Sequence, residues 1–176
     1  MNKELANTLK LERFAMIGLS GGGHLKADYQ LVQLRTRDDH LLSELDVLHR
    51  EFFRNSTVPP EQFMDFVSER LADDEMLLVL AMSDARAVGY GLAFDVSEHP
   101  FMPEWQRSGY ITQLYVTPEH RGRGVGQRMV DFILAWMRSR DIQSVQLNAA
   151  VGETGAQEFW HKQGFEPCRV RMRREI

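Results

Sequence analysis

The sequence predicts an α/β (α+β) protein with one mixed, mostly antiparallel central sheet of six to seven strands, flanked by about four helices. The main observation is a strand–helix–strand pattern between residues 111 and 149, because a crossover of this kind joins two parallel strands. The second observation is an apolar hairpin at residues 76–94, whose short turn joins antiparallel strands. One parallel pair is therefore expected within an otherwise antiparallel sheet.

Size and composition predict one soluble domain that follows an N-terminal extension. The 176 residues are 43% apolar and 26% charged, which suits a single hydrophobic core. Residues 1–28 have no clean period and form an extension of unclear role, whereas residues 29–176 form the domain. The net charge of −4 argues against nucleic-acid binding, which favours a basic surface.

The cysteine count, the apolar runs and the histidines indicate where the protein is located and whether it binds a metal. Cys168 is the single cysteine, which excludes an intrachain disulfide and favours the reducing cytoplasm. No apolar run reaches the ~18 residues of a membrane span, so no membrane association is expected. The histidines form no spaced cluster, and no metal is expected.

The first half of the domain is predicted to contain one strand and two helices before the hairpin. Tyr29–Arg35 alternates as a strand, and Asp38 or Asp39 then caps a helix that runs to about Phe53. The apolar stripe of this helix is Leu41, Leu45, Leu48 and Phe52. A second helix is predicted at about Glu61–Leu71, with Phe63, Phe66 and Val67 buried.

The hairpin and the loop after it occupy the middle of the chain. Met76–Met82 is almost wholly apolar and is expected to be buried on both faces, and Val88–Phe94 is the returning strand. Residues 95–108 form a long loop that contains prolines and aromatic residues. This loop is either a lid on the substrate side or a surface packed against a neighbouring subunit.

Strands and helices alternate in the second half. A strand that contains Ile111, Leu114 and Val116 ends at Thr117 and Pro118. From Gln127 the period becomes helical, and the apolar face consists of Val130, Ile133, Leu134 and Met137. The remaining predicted elements are a strand at Ser144–Ala149, a helix at Thr154–Lys162 capped by Gly164, and a last strand at Val170 and Met172.

A glycine-rich loop, Arg121–Gly126, separates the strand from the helix at the centre of the crossover. Glycines let several main-chain N–H groups point into one hollow, and the helix N-terminus adds partial positive charge. Arg121, Arg123 and Arg128 add full charges. The loop therefore predicts phosphate or pyrophosphate binding, with a flexible surface turn as the alternative. Neither the dinucleotide-binding pattern nor the P-loop pattern is present.

The stretch LYVTPEHRGRGVGQRMVDFIL resembles motif A of the GNAT superfamily of acyl-CoA-dependent N-acetyltransferases, with Arg121, Gly124 and Gly126 filling its R/Q-x-x-G-x-G/A pattern. A second block of that family is matched by Ala156, Trp160, Gly164 and Phe165. The resemblance implies a GNAT-type sheet whose parallel pair is splayed. It also implies an N-acetyltransferase that moves an acetyl group from acetyl-CoA, its cosubstrate, to a primary amine of a small molecule or peptide by direct attack.

The resemblance implies a role for several residues at this crossover. The residues expected to bind acetyl-CoA are Leu114, Tyr115, Val116, Arg121, Gly122, Arg123, Gly124, Val125, Gly126, Gln127, Asn148 and Trp160. The main-chain N–H of Val116 is expected to polarise the thioester carbonyl. The catalytic candidates are Tyr110, Gln113, Val116 and Trp160.

Three departures from the family pattern concern the transfer of protons and the cofactor contact. Trp160 replaces the usual tyrosine, and an indole N–H is no practical acid. Glu153 stands where an asparagine often contacts the cofactor. Gln113 offers no base in place of the frequent glutamate, which leaves a water held by Tyr110 and Gln113 as the proton relay.

These departures keep a second function open, a catalytically weakened acyl-CoA-binding or sensing module on the same fold. The acceptor amine and the preferred acyl chain are not identified by any motif. A homodimer is compatible with the sequence, although no interface can be recognised in it.

Overall fold

The computed structural model describes residues 29–54, 59–96, 107–150, 152, 154–170, 172 and 174. The strands are β1 (Gln30–Gln33), β2 (Met76–Ser83), β3 (Arg86–Asp95), β4 (Ser108–Val116) and β5 (Ser144–Leu147). The helices are α1 (Asp39–Phe52), α2 (Pro60–Arg70), α3 (Val125–Ser139) and α4 (Thr154–Lys162). A short 3-10 turn, Pro118–His120, follows β4. None of the helices in these ranges is long and apolar enough to cross a membrane.

The five strands form one sheet in the order β1-β2-β3-β4-β5, which is also their order in the sequence. The first three pairings are antiparallel, and β4 pairs with β5 in parallel. The mixed sheet with one parallel pair is therefore confirmed. The parallel pair results from the crossover through α3, since β4 and β5 must then run in the same direction.

The predicted number of strands was too high, because the described residues contain five strands instead of six or seven. Val170 and Met172 belong to no strand and are 88% and 89% exposed. Their alternation with arginines imitates a half-buried strand, but a strand also needs a hydrogen-bonded neighbour. The strand predicted at Ser144–Ala149 is shorter and ends at Leu147. The extension (1–28), Glu153 and most of the long loop (97–106) lie outside the described residues.

The sheet separates two hydrophobic cores. Helices α1 and α2 cover one face, where Leu45, Val67, Leu80 and Tyr90 are among the buried residues. Helix α3 covers the other face, where the buried residues include Leu77, Val79, Met129 and Ile133. Strand β2 supplies side chains to both cores in alternation, so that seven of its eight residues are buried. The prediction that residues 76–82 are buried on both faces is confirmed.

Helix α1 begins as predicted, because the Asp38 side chain accepts hydrogen bonds from the N–H groups of His40 and Leu41. Its buried face differs from the predicted stripe at both ends, because Leu42 takes the place of Leu41 and His49 takes the place of Phe52. The buried residues are Leu42, Leu45, Leu48 and His49. Phe52, which had been assigned to the core, is 40% exposed. Because residues 41 and 42 are both leucine, the helix face that contains Leu41 and the face that contains Leu42 are equally apolar. The apolar period alone therefore could not show which of the two faces the sheet.

A β-bulge in β4 decides which side chains face each core. Ala93 of β3 pairs with Ile111 and Leu92 pairs with Gln113, which leaves Thr112 as the extra residue. The Thr112 hydroxyl donates a hydrogen bond to the Leu92 carbonyl at 3.0 Å. Because of this extra residue, Ile111 packs in the α3 core while Gln113 faces the opposite core with Tyr90.

Two glycines of β3 allow a matched test of close packing, because Gly89 lies against the main chain of β4 and Gly91 lies against a side chain of α3. A Cβ added at Gly89 would lie 2.6 Å from the main-chain oxygen of Tyr115, whereas one at Gly91 would lie 3.1 Å from the side-chain Cδ1 of Ile133. Gly89→Ala is therefore expected to lower the free energy of unfolding by about 2–3 kcal/mol, and Gly91→Ala by about 1 kcal/mol or less. Urea unfolding of both variants measures the difference, and an equal or larger loss with Gly91→Ala would contradict it.

Candidate functional site

The site lies where β4 extends beyond the end of its parallel partner, β5. The pairing of β4 with β5 runs from Ser108 opposite Ser144 to Ile111 opposite Leu147. Strand β5 ends there, but β4 continues to Val116. Among the described residues, the last part of β4 therefore has β3 on one side and an open edge on the other.

The main chain of Val116 faces this open edge. The N–H of Thr117 donates to the Val88 carbonyl of β3 at 2.9 Å. Gly89 and Val116 are the next pair in the antiparallel ladder, so their N–H and C=O groups point away from each other. The Val116 carbonyl accepts a hydrogen bond from Arg121 Nε at 2.9 Å on that outer side. The same alternation turns the N–H of Leu114 toward the open edge.

The glycine-rich loop lies at the start of α3. The helix begins at Val125, two residues earlier than Gln127, where it had been predicted. Its N-cap, Gly124, has φ of 81° and no side-chain cap, and Gly122 has φ of 70°. A Cβ at either glycine would meet no atom of the described residues within 4 Å. The hollow is therefore open, and its left-handed backbone favours glycine.

One of the three arginines predicted to surround the loop has its side chain turned to Tyr115 and Val116. Arg123 and Arg128 are exposed beside it. The Arg121 guanidinium instead lies over the Tyr115 ring, 5.7 Å from its centroid, while its Nε binds the Val116 carbonyl. A phosphate contact of Arg121 stays a prediction.

Aromatic side chains of α4 pack close to the loop. Trp160 is half-buried between Phe159 and Phe165, with ring centroids 5.0 Å and 5.2 Å away. A Cβ at Gly126 would lie 3.3 Å from the Phe159 ring and 3.9 Å from Val116 Cγ2. Gly126 thus allows the ring to approach the start of α3. The sequence had singled out Trp160, and Phe159 was missed because its role depends on this approach of α4 to α3.

Gln113 and Tyr110, the candidates for holding a water, lie on the α1 side of β4. Gln113 Oε1 accepts a hydrogen bond from the Tyr90 hydroxyl at 2.8 Å. Tyr90 is fully buried, and burial raises the pKa of its phenol well above the usual value. Tyr90 therefore remains a hydrogen-bond donor at neutral pH and fixes the Gln113 amide. Tyr90 was missed because only the sheet register brings it opposite β4.

An open cleft of about 700 Å³ adjoins β4 on the α1 side. Its walls are the end of α1 with the two residues after it (51–54), Tyr115, Pro118 and Arg121. Burial raises the pKa of Tyr115 to about 12, assisted by a hydrogen bond to the Glu51 carboxylate and by its charge. Tyr115 is thus a neutral phenol at physiological pH, and Glu51 brings a negative charge to the cleft.

His49 of α1 is buried and stacks flat on Phe63 of α2, with ring centroids 3.7 Å apart. Its Nδ1 has no hydrogen-bond partner among the described residues. Burial lowers the pKa of His49 below its ordinary value of 6.5, partly opposed by the charge of Asp46. The imidazole is therefore neutral in the folded protein at neutral pH.

This buried histidine predicts a loss of stability in acid. Below pH 6.5 the unfolded chain binds a proton at His49 that the folded protein does not bind, so unfolding becomes easier as pH falls. This single group contributes at most about 1.4 kcal/mol per pH unit. Urea unfolding between pH 7 and pH 5 should show a shallower pH dependence for His49→Phe. His40→Asn, a change at an exposed histidine of the same helix, should keep the wild-type dependence, and equal slopes in all three proteins would exclude this role.

The described part of the chain contains no group of three or more His, Cys, Asp or Glu side chains that could hold a metal. The site consists of an open strand edge, a glycine-rich loop at a helix N-terminus, and a cleft on the opposite side of the sheet. This arrangement is that of an acyltransferase fold in which the parallel strand pair separates. Residues 42–165 match the family model of the acetyltransferase (GNAT) family, and the chain belongs to this family.

Two curated relatives are similar to short stretches of the chain. An uncharacterized N-acetyltransferase of Methanocaldococcus jannaschii is 34% identical over 60 residues. N-alpha-acetyltransferase 30 of Schizosaccharomyces pombe is 32% identical over 63 residues. These matches cover 34% and 36% of this chain but only 26% and 41% of the relatives' lengths.

Among solved structures, the chain resembles the aminoglycoside N-acetyltransferase AAC(6')-Iy in complex with CoA. The TM-score is 0.72 at 19% identity, over 85% of this chain and 95% of the other. A likeness at this level of identity establishes the fold, and the fold is GNAT-type as the sequence predicted.

Proposed function

We propose that this protein is an acetyl-CoA-dependent N-acetyltransferase that transfers the acetyl group to a primary amine of a small molecule or peptide by direct attack. The observation that carries the proposal is the Val116 N–H, which points to an open strand edge immediately before a glycine-rich loop. A main-chain donor in this position can stabilise the charge that develops on the thioester oxygen.

The residues around the open edge fit acetyl-CoA. The N–H of Val116 and the main-chain groups of Leu114 face the open edge and can bond the pantetheine arm as an added strand. The hollow beside Gly122 and Gly124 accommodates a pyrophosphate, which the α3 N-terminus attracts. We assign cofactor binding to Leu114, Tyr115, Val116, Arg121 through its main chain, Gly122, Arg123, Gly124, Val125, Gly126, Gln127, Asn148 and Trp160. When bound, acetyl-CoA supplies the activated acyl carbonyl.

Proton movement in this proposal uses water instead of an acidic or basic side chain. Gln113 cannot accept a proton at neutral pH, but the bond from Tyr90 orients its amide so that it can hold a water together with Tyr110. The leaving thiolate has an ordinary pKa of ~8.5, so water can also protonate it. Trp160 then serves as a packed wall with no acid function.

The alternative is a catalytically weakened acyl-CoA-binding or sensing module. It is favoured by Trp160, because a ring held between Phe159 and Phe165 offers no acid to the leaving group. Both functions require the same cofactor site, so acetyl-CoA binding alone cannot separate them.

Trp160→Tyr separates the two functions. If the protein is an active transferase that uses the Trp160 indole for packing, the smaller tyrosine ring loosens the contacts with Phe159 and Phe165. We then expect kcat to fall by up to about tenfold. Free CoA, measured with a thiol reagent, reports the rate, and Trp160→Phe controls for lost volume without a hydroxyl. A large gain in turnover with Trp160→Tyr alone would instead identify a degenerate site that lacks its acid.

The direct test of the proposed function is CoA release from acetyl-CoA across a broad panel of amines, beside acetyl-CoA binding measured by calorimetry. Binding without release for any amine would favour the sensing module. We also propose a cytoplasmic location, which the single cysteine supports, and a homodimer. Cell fractionation and light scattering test these two points.

A further inference from the structure

The cleft beside Tyr115 carries three kinds of chemistry within a small space. Glu51 is its carboxylate, and the Tyr115 hydroxyl binds that carboxylate. Arg54 and Arg121 are its cations. Phe52 and Phe53 are its apolar walls, with 40% and 37% of their surface exposed. An acceptor that matches all three must combine a cationic, an anionic and an apolar group.

The two arginines are available to an anion. Nε of Arg121 is bound to the Val116 carbonyl, which leaves the terminal nitrogens of its guanidinium beside the cleft. Arg54 is close enough to Tyr115 for its charge to act on the phenol. Across the ranges that the structure describes, neither arginine has a carboxylate within salt-bridge distance. Guanidinium groups bind carboxylates and phosphates in preference to neutral groups.

The charge of the cleft differs from that of the whole chain. One carboxylate and two guanidiniums leave the lining one unit positive, whereas the chain has a net charge of −4. A polycationic amine would meet repulsion from Arg54 and Arg121, and Glu51 can balance only one ammonium group. The cleft therefore disfavours aminoglycoside-like acceptors, although the fold resembles that of an aminoglycoside N-acetyltransferase.

The position of Arg121 limits the distance between the two charged groups of the acceptor. The guanidinium binds the carbonyl of Val116, the same residue whose N–H faces the open edge of β4. An anion held by Arg121 is therefore close to the atoms that would react. The amine and the anion must lie a few bonds apart, as in an α-amino acid.

We infer that the acceptor is a zwitterionic amine with an apolar side group, whose anion is held by Arg54 and Arg121 and whose ammonium is attracted by Glu51. This inference rests on the proposed acetyltransferase function and names its substrate class. The anion is a carboxylate or a phosphate-like group, since both match a guanidinium. Phe52 and Phe53 contact the apolar side group.

The test compares L-phenylalanine with L-phenylalaninamide at saturating acetyl-CoA. We expect kcat/KM for the acid to exceed that for the amide by about 10- to 100-fold, because charge-assisted bonds to arginine are lost in the amide. The amide has the less basic amine and the larger neutral fraction, so intrinsic reactivity favours the opposite order. The compound 1-amino-2-phenylethylphosphonic acid shows whether the preferred anion is phosphate-like, and kanamycin represents polycationic acceptors.

Two variants identify the source of the preference. Arg54→Gln should reduce the acid-to-amide ratio by about tenfold or more, mainly through KM, because one guanidinium partner is lost. Arg138→Gln, which removes an exposed arginine at the far end of α3, should leave the ratio at its wild-type value. A ratio that is equally insensitive to both changes would overturn the assignment of Arg54.

Calorimetry of the same ligands with CoA-saturated protein keeps the test independent of turnover. Tighter binding of L-phenylalanine than of L-phenylalaninamide supports the inference even if the release of CoA is slow. Equal binding, or a preference for the amide or kanamycin, overturns it while leaving the acetyltransferase function intact. Absence of CoA release with every amine, together with absence of acetyl-CoA binding, would instead remove the proposed function and this inference with it.

Discussion

Gly124→Glu is expected to weaken acetyl-CoA binding by at least about 100-fold, the largest effect on this affinity of any substitution considered for the site. Gly124 lies at the N-cap of α3 with φ of 81°, and no described residue comes within 4 Å of an added Cβ. A glutamate there would fill the hollow and place a negative charge against the pyrophosphate. Calorimetry with acetyl-CoA measures the change directly.

Two controls separate the charge from its side effects. Gly124→Ala introduces the backbone strain of a left-handed residue, about 1–2 kcal/mol, without the charge, and should retain most of the affinity. Gln143→Glu adds the same charge at the opposite end of the parallel strand pair and should bind like wild type. Binding by Gly124→Glu within tenfold of Gly124→Ala would show that the loop does not hold the phosphates.

Val116→Pro is expected to lower kcat by about 10²–10³, the usual cost of removing one oxyanion donor. The Val116 N–H points away from β3, so a proline at this position removes no hydrogen bond of the β3–β4 ladder. The acetyl-CoA affinity should fall much less than kcat, because the glycine-rich loop is unchanged. Steady-state rates of CoA release with a saturating amine measure the loss.

Val116→Ala is the matched control for this prediction. It keeps the N–H and shortens the side chain, which removes the Cγ2 atom that lies 3.9 Å from a Cβ at Gly126. Its kcat should remain within a few-fold of wild type. If the proline and alanine variants turn over at similar rates while both are folded, the donor is not Val116.

Elements with a strong local signal could be predicted from the sequence. Helix α3 follows its apolar period, and α4 has the predicted bounds and a Gly164 with φ of 83°. The glycine-rich loop at the N-terminus of α3 follows from its glycines, and the parallel direction of β5 follows from one crossover. The helices and the loop depend mainly on interactions between residues that are close in the sequence.

Features that depend on contacts between distant segments could not be predicted. The direction of Arg121 is set by Val116 and Tyr115, and the role of Phe159 depends on the packing of α4 against Gly126. The burial of His49 depends on the ring of Phe63, which belongs to another helix. The last predicted strand failed for the same reason, since its pattern carries no information about an available partner.

The single extra residue at Thr112 has a consequence for how this region of the chain tolerates change. Residues along a strand alternate in parity, so one unpaired residue inverts the orientation of everything that follows it up to the end of the strand. If Thr112 were instead drawn into the regular ladder, Gln113 and Tyr115 would turn to the α3 face of the sheet and the Val116 N–H would point into β3. Substitutions between residues 112 and 116 change one side chain at a time, whereas loss of the bulge in a chain of the same length would exchange the two faces of the whole segment. The bulged conformation at Thr112 should therefore be more strictly maintained during evolution than the identity of any single side chain around it.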